Sequence, residues 1–377
     1  MAVRTRIPTD EEFMRRALRL AQKGEGRVSP NPLVGAVIVR EGRIIAEGYH
    51  HRYGERHAEI DALANATEPV AGATFYVTLE PCSHQGKTPP CVEALIASRP
   101  TRVVVGSIDP NPLVSGRGIA ALRRHGIETT TGVLAEACQR QNEVFFKYIR
   151  TGLPYVTLKF ALTLDGRIAS AAGDSRWISS PASLRFAHRL RRSHDAILVG
   201  AGTVLQDDPE LTCRLVRGKN PLRIVVDSHL RTPPEARLFD QRRARTIVAA
   251  TAAAPRSRRS LFAGRGIEVL ELGTDDTGRV ALPELLNLLG RREIGSLLVE
   301  GGAGIATSLL RGGLADRLVA VVAPKIVGAG IDAVGDLGIR RMQQALQLRF
   351  ARILRSGDDL VLDARFTPRP QASAPPP

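Results

Sequence analysis

Apolar and polar positions along this chain follow two spacings, and the spacing switches often enough to predict a layered mixture of helices and strands. Residues Asp10–Lys23 place Phe13, Met14, Ala17, Leu20 and Ala21 at helical intervals, which predicts an amphipathic helix. Leu33–Val39 is an unbroken apolar run of strand length. A helix is expected after His57, a strand at Ala73–Leu79, a helix at Val92–Ala97 and a strand at Arg102–Ile108. A helix around Gly118–His125 and a short strand near Thr129 follow. One long helix from Leu134 to Arg150 then stops at Thr151-Gly-Leu-Pro154, where the proline holds the preceding residue extended.

After that seam the pattern restarts. Strands are predicted at Tyr155–Ala161, Ala196–Gly200, Leu222–Val226, Thr246–Ala250, Ser296–Glu300 and Arg317–Ala323, with a turn at Asp165-Gly166 and a helix over Pro181–Arg192. Alternating strands and helices of these lengths predict layered α/β sheets. The chain has 377 residues, long for one domain and comfortable for two. The expected domains are 1–150 and 154–366, with the proline-rich residues 367–377 a disordered tail.

Chemistry enters at His57-Ala-Glu59, Pro81-Cys82 and Cys91. One imidazole and two thiols make a three-ligand set for Zn²⁺ with a fourth tetrahedral position left for water. Glu59, two residues from the histidine, is badly placed to be a ligand but well placed to carry that water's protons. This is the grammar of zinc deaminases, which release ammonia from a base by hydrolysis. Residues two apart do not share a helix face, so His57 and Glu59 must enter the site from a loosely wound first turn. Cys91 opens a helix, where the dipole and free amides favour thiolate. The competing reading is a structural zinc, for which His84 is the nearby fourth ligand.

In the second half, Glu300-Gly-Gly-Ala-Gly304 follows an apolar strand and opens a helix at Ile305. Such a turn brings backbone amides up to a phosphate. It lacks the third glycine of a dinucleotide fingerprint, because Thr307 stands there, and a plain tight turn fits the same residues. Gly200-Ala-Gly-Thr203 with Asp207-Asp208-Pro209 is a second candidate group after a strand.

The four cysteines form no disulfide framework, which fits a reducing compartment. Met1–Glu12 has no apolar signal core and no run is long enough to span a bilayer, so a cytoplasmic protein is expected. A net charge of +15 raises a nucleic-acid reading. Yet the arginines are scattered, as in Arg189-Leu-Arg-Arg192, Arg242-Arg-Ala-Arg245 and Arg256-Ser-Arg-Arg259, and aromatic residues are few. A solvated surface with a few arginines on small-molecule phosphates is the preferred reading.

Several motifs together resemble the bifunctional deaminase–reductases of riboflavin biosynthesis. They are Asn31-Pro-Leu-Val-Gly-Ala-Val-Ile-Val39, Gly48-Tyr-His50, His57-Ala-Glu59 and Pro81-Cys-Ser-His-Gln-Gly-Lys-Thr-Pro-Pro-Cys91 in the first half. The second half adds Lys159-Phe-Ala-Leu-Thr-Leu-Asp-Gly166, Ser175-Arg-Trp-Ile178, Leu211-Thr-Cys-Arg214 and Val299-Glu-Gly-Gly302. The resemblance implies a cytidine-deaminase-like three-layer α/β/α domain followed by a dihydrofolate-reductase-like α/β domain. The first would deaminate 2,5-diamino-6-(5-phosphoribosylamino)pyrimidin-4(3H)-one, and the second would reduce the ribosyl chain of the product to ribityl with NADPH. By motif, His57, Cys82 and Cys91 bind zinc, Glu59 carries protons, and His84, Lys87, Asp109 and Asn111 contact substrate. Ala161, Trp177, Thr203, Asp207 and the run Gly302, Ala303, Gly304, Ile305, Ala306, Thr307 correspond to NADPH contacts. Ser175, Arg191, Leu211, Arg214 and Glu300 correspond to substrate contacts, the arginines suiting a sugar phosphate. Leu162 departs from the smaller residue expected in its stretch. A homo-oligomer acting on a phosphorylated pyrimidine, without nucleic acid or membrane, is the implied setting. The alternatives are a tRNA-editing zinc deaminase, disfavoured by the wide cysteine spacing, and a non-catalytic zinc- or nucleotide-binding protein.

Overall fold

The computed structural model describes residues 8–85, 89–112 and 114–367. The chain divides into two compact units after Gly152. The first contains α1 (Asp10–Ala21), β1 (Gly35–Arg40), β2 (Arg43–Tyr49), α2 (Ala58–Ala64), β3 (Thr74–Leu79), α3 (Cys91–Ser98), β4 (Arg102–Ser107), α4 (Arg117–Arg124), β5 (Glu128–Thr131), α5 (Ala135–Gln141) and α6 (Glu143–Thr151). Thr9 starts α1 with a reciprocal cap: its hydroxyl accepts from the Glu12 amide at 3.4 Å, and the Glu12 carboxylate accepts from the Thr9 amide at 2.7 Å.

Among the described residues the first unit holds a five-stranded sheet in the order β2-β1-β3-β4-β5, with β1 antiparallel to both neighbours and β3, β4 and β5 parallel. Side chains alternate across it. Val37, Val39, Tyr76 and Val104 pack on Met14 and Ala17 of α1 and Cys138 of α5. Ala36, Ile38, Phe75 and Val105 pack on Ala58, Leu95 and Leu122 from α2, α3 and α4. Burial on both faces is why these strands read as continuous apolar runs.

Two features depart from the sequence expectation. Strand β2 was not anticipated, because its outer half, beginning at Arg43, is exposed and the apolar pattern is short. A hairpin turn at Glu41 and Gly42, both with φ near +50 to +74°, folds it onto β1. The single helix expected at Leu134–Arg150 is two helices, broken at Asn142. That buried side chain accepts from the Leu33 amide at 2.8 Å and donates to the Leu33 carbonyl at 2.9 Å. A residue pinned from both sides by distant backbone leaves no trace in helical periodicity.

The second unit contains β6 (Tyr155–Thr163), β7 (Arg167–Ser170), α7 (Pro181–Ser193), β8 (Ala196–Gly200), α8 (Ala201–Asp207), β9 (Leu222–Val226), β10 (Thr246–Thr251), α9 (Arg256–Ala263), β11 (Glu268–Leu272), α10 (Leu282–Arg291), β12 (Ser296–Val299), α11 (Ala303–Arg311), β13 (Arg317–Ala323), β14 (Gly330–Asp332), β15 (Leu348–Ser356) and β16 (Asp359–Phe366). Among the described residues its main sheet has nine strands in the order β11-β10-β9-β8-β12-β6-β13-β16-β15, with β16 alone running against the rest. Leu285, Leu289 and Leu309 cover one face, and Leu190, Val204 and Phe262 the other. From β8 the chain continues through α8 to β9 on one side. From β12 it passes through α11 to β13 on the other. Neighbouring strands whose connections leave in opposite directions open a crevice at their carboxyl ends.

Among the described residues no helix is long and apolar enough to cross a membrane. Of the tail expected to be disordered, only Thr367 is described.

Candidate active sites

In the first unit, His57 is the N-cap of α2 with extended backbone (φ −73°, ψ 164°), and Glu59 lies within the first turn. The change of conformation between them lets both side chains turn toward Cys82, which follows β3, and Cys91, which begins α3. His57 Nδ1 stands 3.2 Å from Cys91 Sγ and 3.5 Å from Cys82 Sγ, and the Cys91 amide donates to Cys82 Sγ at 3.2 Å. The three ligating atoms lie within 4.8 Å of one another, and among the described residues His84 does not join them. Two sulfurs and one imidazole nitrogen fit Zn²⁺, with one tetrahedral position left over.

Hydrogen bonds from Cys91 and His57 hold the Cys82 thiol well below its ordinary range, while donating to Cys82 and burial push Cys91 up. One sulfur is therefore a ready thiolate. Glu59 is 3% exposed, and burial pushes its carboxyl up to about 7. His57, Glu59, Cys82, His84, Asp109 and Asn111 line one cavity of about 270 Å³. Burial pushes Asp109 up to about 6, and its carboxylate accepts from the Asn111 amide at 2.8 Å. Lys87 lies outside the described residues.

Asn31 and His50, to which the sequence reading gave no role, also line this cavity. His50 Nδ1 donates to the Arg56 carbonyl at 2.9 Å, which makes Nε2 the acceptor for the Asn31 amide at 3.2 Å. Both residues sit in motifs that carry the family resemblance, but only the β1–β2 hairpin brings them together.

In the second unit the crevice beside β8 and β12 is lined by two adjoining cavities. One, about 650 Å³, takes in Gly200–Thr203, Asp207 and Gly302–Ile305. The other, about 520 Å³, takes in Lys159, Ala161, Trp177, Leu211, Arg214 and Glu300, together with Arg191. Ser175, Thr203, Asp207 and Gly302 line both. The Gly302 amide donates to Thr203 Oγ1 at 3.2 Å and the Ser175 hydroxyl to Asp207 at 3.3 Å, which joins the two glycine-containing turns and the wall opposite. Ala306 and Thr307 turn away from the cavities. Ala306 is buried, and the Thr307 hydroxyl donates to the Ala303 carbonyl and accepts from the Gly335 amide. Leu162 sits on β6 opposite Val322 and lines neither cavity.

Glu300 anchors the second cavity. Arg191 Nε and Nη2 each donate to one carboxylate oxygen at 2.8 Å, its Nη1 donates to the Thr212 carbonyl, and Lys159 Nζ lies 3.9 Å away. Burial alone would raise the Glu300 carboxyl, but the charges of Arg191 and Lys159 hold it down at about 2. Burial lowers Lys159, and burial with Arg191 and Arg214 lowers His188, on the same wall, to about 4. Arg191 is thus fully engaged within the protein, whereas Arg214 is exposed at the cavity.

Comparison with known proteins decides what these sites belong to. Residues 154–362 match the RibD C-terminal domain, and residues 7–107 match the cytidine and deoxycytidylate deaminase zinc-binding region. The riboflavin biosynthesis protein RibD of Aquifex aeolicus is 46% identical over 354 residues, covering 94% of this chain and 97% of that one. The chain belongs to the RibD family. RibD of Escherichia coli is 42% identical, with 94% and 98% of the two chains covered. A crystal structure from Thermotoga maritima, described as a diaminohydroxyphosphoribosylaminopyrimidine deaminase/5-amino-6-(5-phosphoribosylamino)uracil reductase, superposes with a TM-score of 0.83 at 40% identity, over 95% of this chain and 99% of that one. This chain is accordingly a bifunctional deaminase and reductase of riboflavin biosynthesis. Its first unit is cytidine-deaminase-like and its second dihydrofolate-reductase-like.

Proposed function

We propose that the first unit, with zinc on His57, Cys82 and Cys91, deaminates 2,5-diamino-6-(5-phosphoribosylamino)pyrimidin-4(3H)-one, and that the second reduces the ribosyl chain of the product to ribityl with NADPH. The observation that carries the first half is a three-donor site open to the same cavity as a buried glutamate with raised proton affinity. Bound zinc supplies the Lewis acidity that brings a water's pKa to roughly 7. Glu59 would carry one proton from water to the ring nitrogen and, once the new C–O bond has formed, a second from that hydroxyl to the amine as its C–N bond breaks. Asp109, Asn111 and His84 hold the pyrimidine.

For the reductase, amides of the Gly302–Ile305 turn at the start of α11 receive the pyrophosphate, and Thr203 and Asp207 fix the nearby ribose. Trp177 and Ala161 border the nicotinamide, and Ser175, Leu211 and Glu300 hold the ribosyl chain. Arg214 meets the sugar phosphate, while Arg191 orients Glu300. The reading of NADPH over NADH is supported at the far end of the larger cavity, where Arg231 and Arg279 stand at the lip. Of the acids beside them, Asp275 accepts from Thr277 and the Arg279 amide, and buried Asp227 accepts from the Thr232 amide at 2.7 Å through Oδ2 while its Oδ1 lies 4.0 Å from Arg231 Nε. NADH sites present an acid to the ribose 2′-hydroxyl, whereas an arginine suits a 2′-phosphate. Replacing both arginines by alanine is expected to weaken NADPH binding by about 10- to 100-fold and leave NADH unchanged, a loss of charge-assisted hydrogen bonds. Quenching of Trp177, the chain's one tryptophan, reads this directly; equal weakening of both nucleotides would refute it.

A small-molecule, cytoplasmic, homo-oligomeric enzyme is part of the same proposal. The net charge raised a nucleic-acid reading, but several of the scattered arginines are ion-paired within the protein, with Arg242 on Asp240, Arg243 on Glu210, Arg245 on Glu268 and Arg259 on Glu271. The test is to give the zinc-loaded protein the diaminopyrimidine ribotide with NADPH and follow ammonia and NADPH together. Ammonia release followed by NADPH oxidation is expected. Ammonia alone would refute the reductase assignment, and neither signal would refute both.

A further inference from the structure

Glu80 follows β3 and directly precedes Pro81-Cys82, yet neither motif chemistry nor family resemblance gave it a task. It is 3% exposed, and its carboxylate accepts four backbone hydrogen bonds from the far side of β4. Oε2 takes the amides of Asp109 at 3.3 Å and Gly116 at 3.0 Å, and Oε1 takes those of Gly118 at 3.0 Å and Ile119 at 3.3 Å. Its own amide donates to the Ser107 carbonyl at 2.9 Å.

The arrangement has a local cause. Helix α4 has no acid in its first turn, and its N-cap residue, Gly116, has no side chain to offer. The Gly118 and Ile119 amides are among the donors that every helix start leaves without an intrahelical acceptor. Glu80 supplies the missing acceptor from another element and puts a negative charge at the positive end of the helix. The fit is close: a Cβ on Gly118 would stand 2.2 Å from the Pro81 carbonyl oxygen. The same carboxylate reaches both ends of the β4–α4 connection, so it fixes the path of the chain between them. That path presents Asp109 and Asn111 to the deaminase cavity, with Asp109 in turn holding the Asn111 amide.

We propose that Glu80 is a positioning residue for the deaminase, holding the β4–α4 loop so that Asp109 and Asn111 meet the pyrimidine at a set distance from Glu59 and the metal ligands. This rests on the reading above that those two side chains contact substrate. Glu80 acts on binding geometry, not on proton transfer, so its loss shows in KM more than in kcat.

The experiment uses the zinc-loaded full chain carrying Glu80→Gln, which turns one acceptor oxygen into an NH₂ facing amide donors. KM for deamination is expected to rise by about 10- to 100-fold with kcat within roughly threefold, the pattern for lost binding without lost chemistry. Zinc content should stay at wild-type level, and hydrogen exchange should speed up at the amides of Asp109, Gly116, Gly118 and Ile119. Glu80→Asp, one methylene shorter, should give a smaller shift in the same direction and serves if the glutamine variant does not fold. Faster exchange at those amides with an unchanged KM would overturn the proposal, and so would a joint fall of kcat and zinc content. Asp109→Asn and Asn111→Ala in the otherwise native chain separate the two levels. If neither changes KM, the substrate reading itself is refuted, whatever Glu80 orders.

Discussion

Glu59→Gln is expected to retain zinc and lose ammonia release by a factor of about 10² to 10⁴, the usual worth of a positioned general acid–base. Glutamine keeps the shape of the side chain but cannot accept and return a proton. Its environment makes the carboxyl unusually suited to that task. Glu59 is almost fully buried on the cavity wall, and burial pushes its carboxyl up to about 7, so near neutral pH it can both accept and release a proton. The ligating atoms of His57, Cys82 and Cys91 are untouched by the change, so the metal content should not fall. Metal analysis and an ammonia assay on the same preparation check this. Full deaminase activity would sink the proton-carrier role, and loss of zinc would show that Glu59 supports the metal instead. NADPH-dependent reduction of the deaminated intermediate, supplied directly, should be unaffected.

The second large effect is expected at Glu300→Gln, which should abolish reduction, leave ammonia release intact and destabilise the second unit. The carboxylate balances Arg191, bonded to both its oxygens, and Lys159 at 3.9 Å. Removing one partner from a buried ionic cluster leaves uncompensated charge, at a cost of about 3–5 kcal/mol. Thermal unfolding of the second unit, together with a reductase assay, reads both consequences. A stable variant with normal reduction would mean that the cluster neither orders nor serves the cavity. The pH dependence has a definite sign. The folded Glu300 carboxyl is held at about 2, below its ordinary 4.5, so the cluster's stabilisation is complete above about pH 4.5. It fades as the pH falls through the window down to 2, because the unfolded chain binds the proton first. The glutamine variant should lack this acid limb.

What could be read from the chain alone follows the range of the forces involved. Strands β4, β8, β9 and β13 are legible because both faces are buried, so they appear as unbroken apolar runs bounded by turns. The edge strands β2 and β15 are not, since the start of β2 and most of β15 face water and neither run is cleanly apolar. The candidate metal set was legible because one histidine and two cysteines, residues with few other joint uses, stand beside a predicted strand and at two predicted helix starts. The Gly301–Gly304 turn was only half legible, for a tight bend and a phosphate cradle use the same residues.

Spacing and motif alone give two α/β units, a histidine–cysteine set with the chemistry of a metal site beside a glutamate in the first of them, and the family whose motifs the chain bears. Tertiary structure alone decided that Asn142 splits a helix by gripping Leu33, that Arg191 is bound to Glu300 and so differs from Arg214, that Ala306 and Thr307 face inward, and that Glu80 ties Asp109 to the start of α4. Each is a hydrogen bond or a burial between residues far apart in the chain. Local spacing encodes which face of an element is apolar, whereas the partner of a buried polar group is chosen only when distant elements close around it.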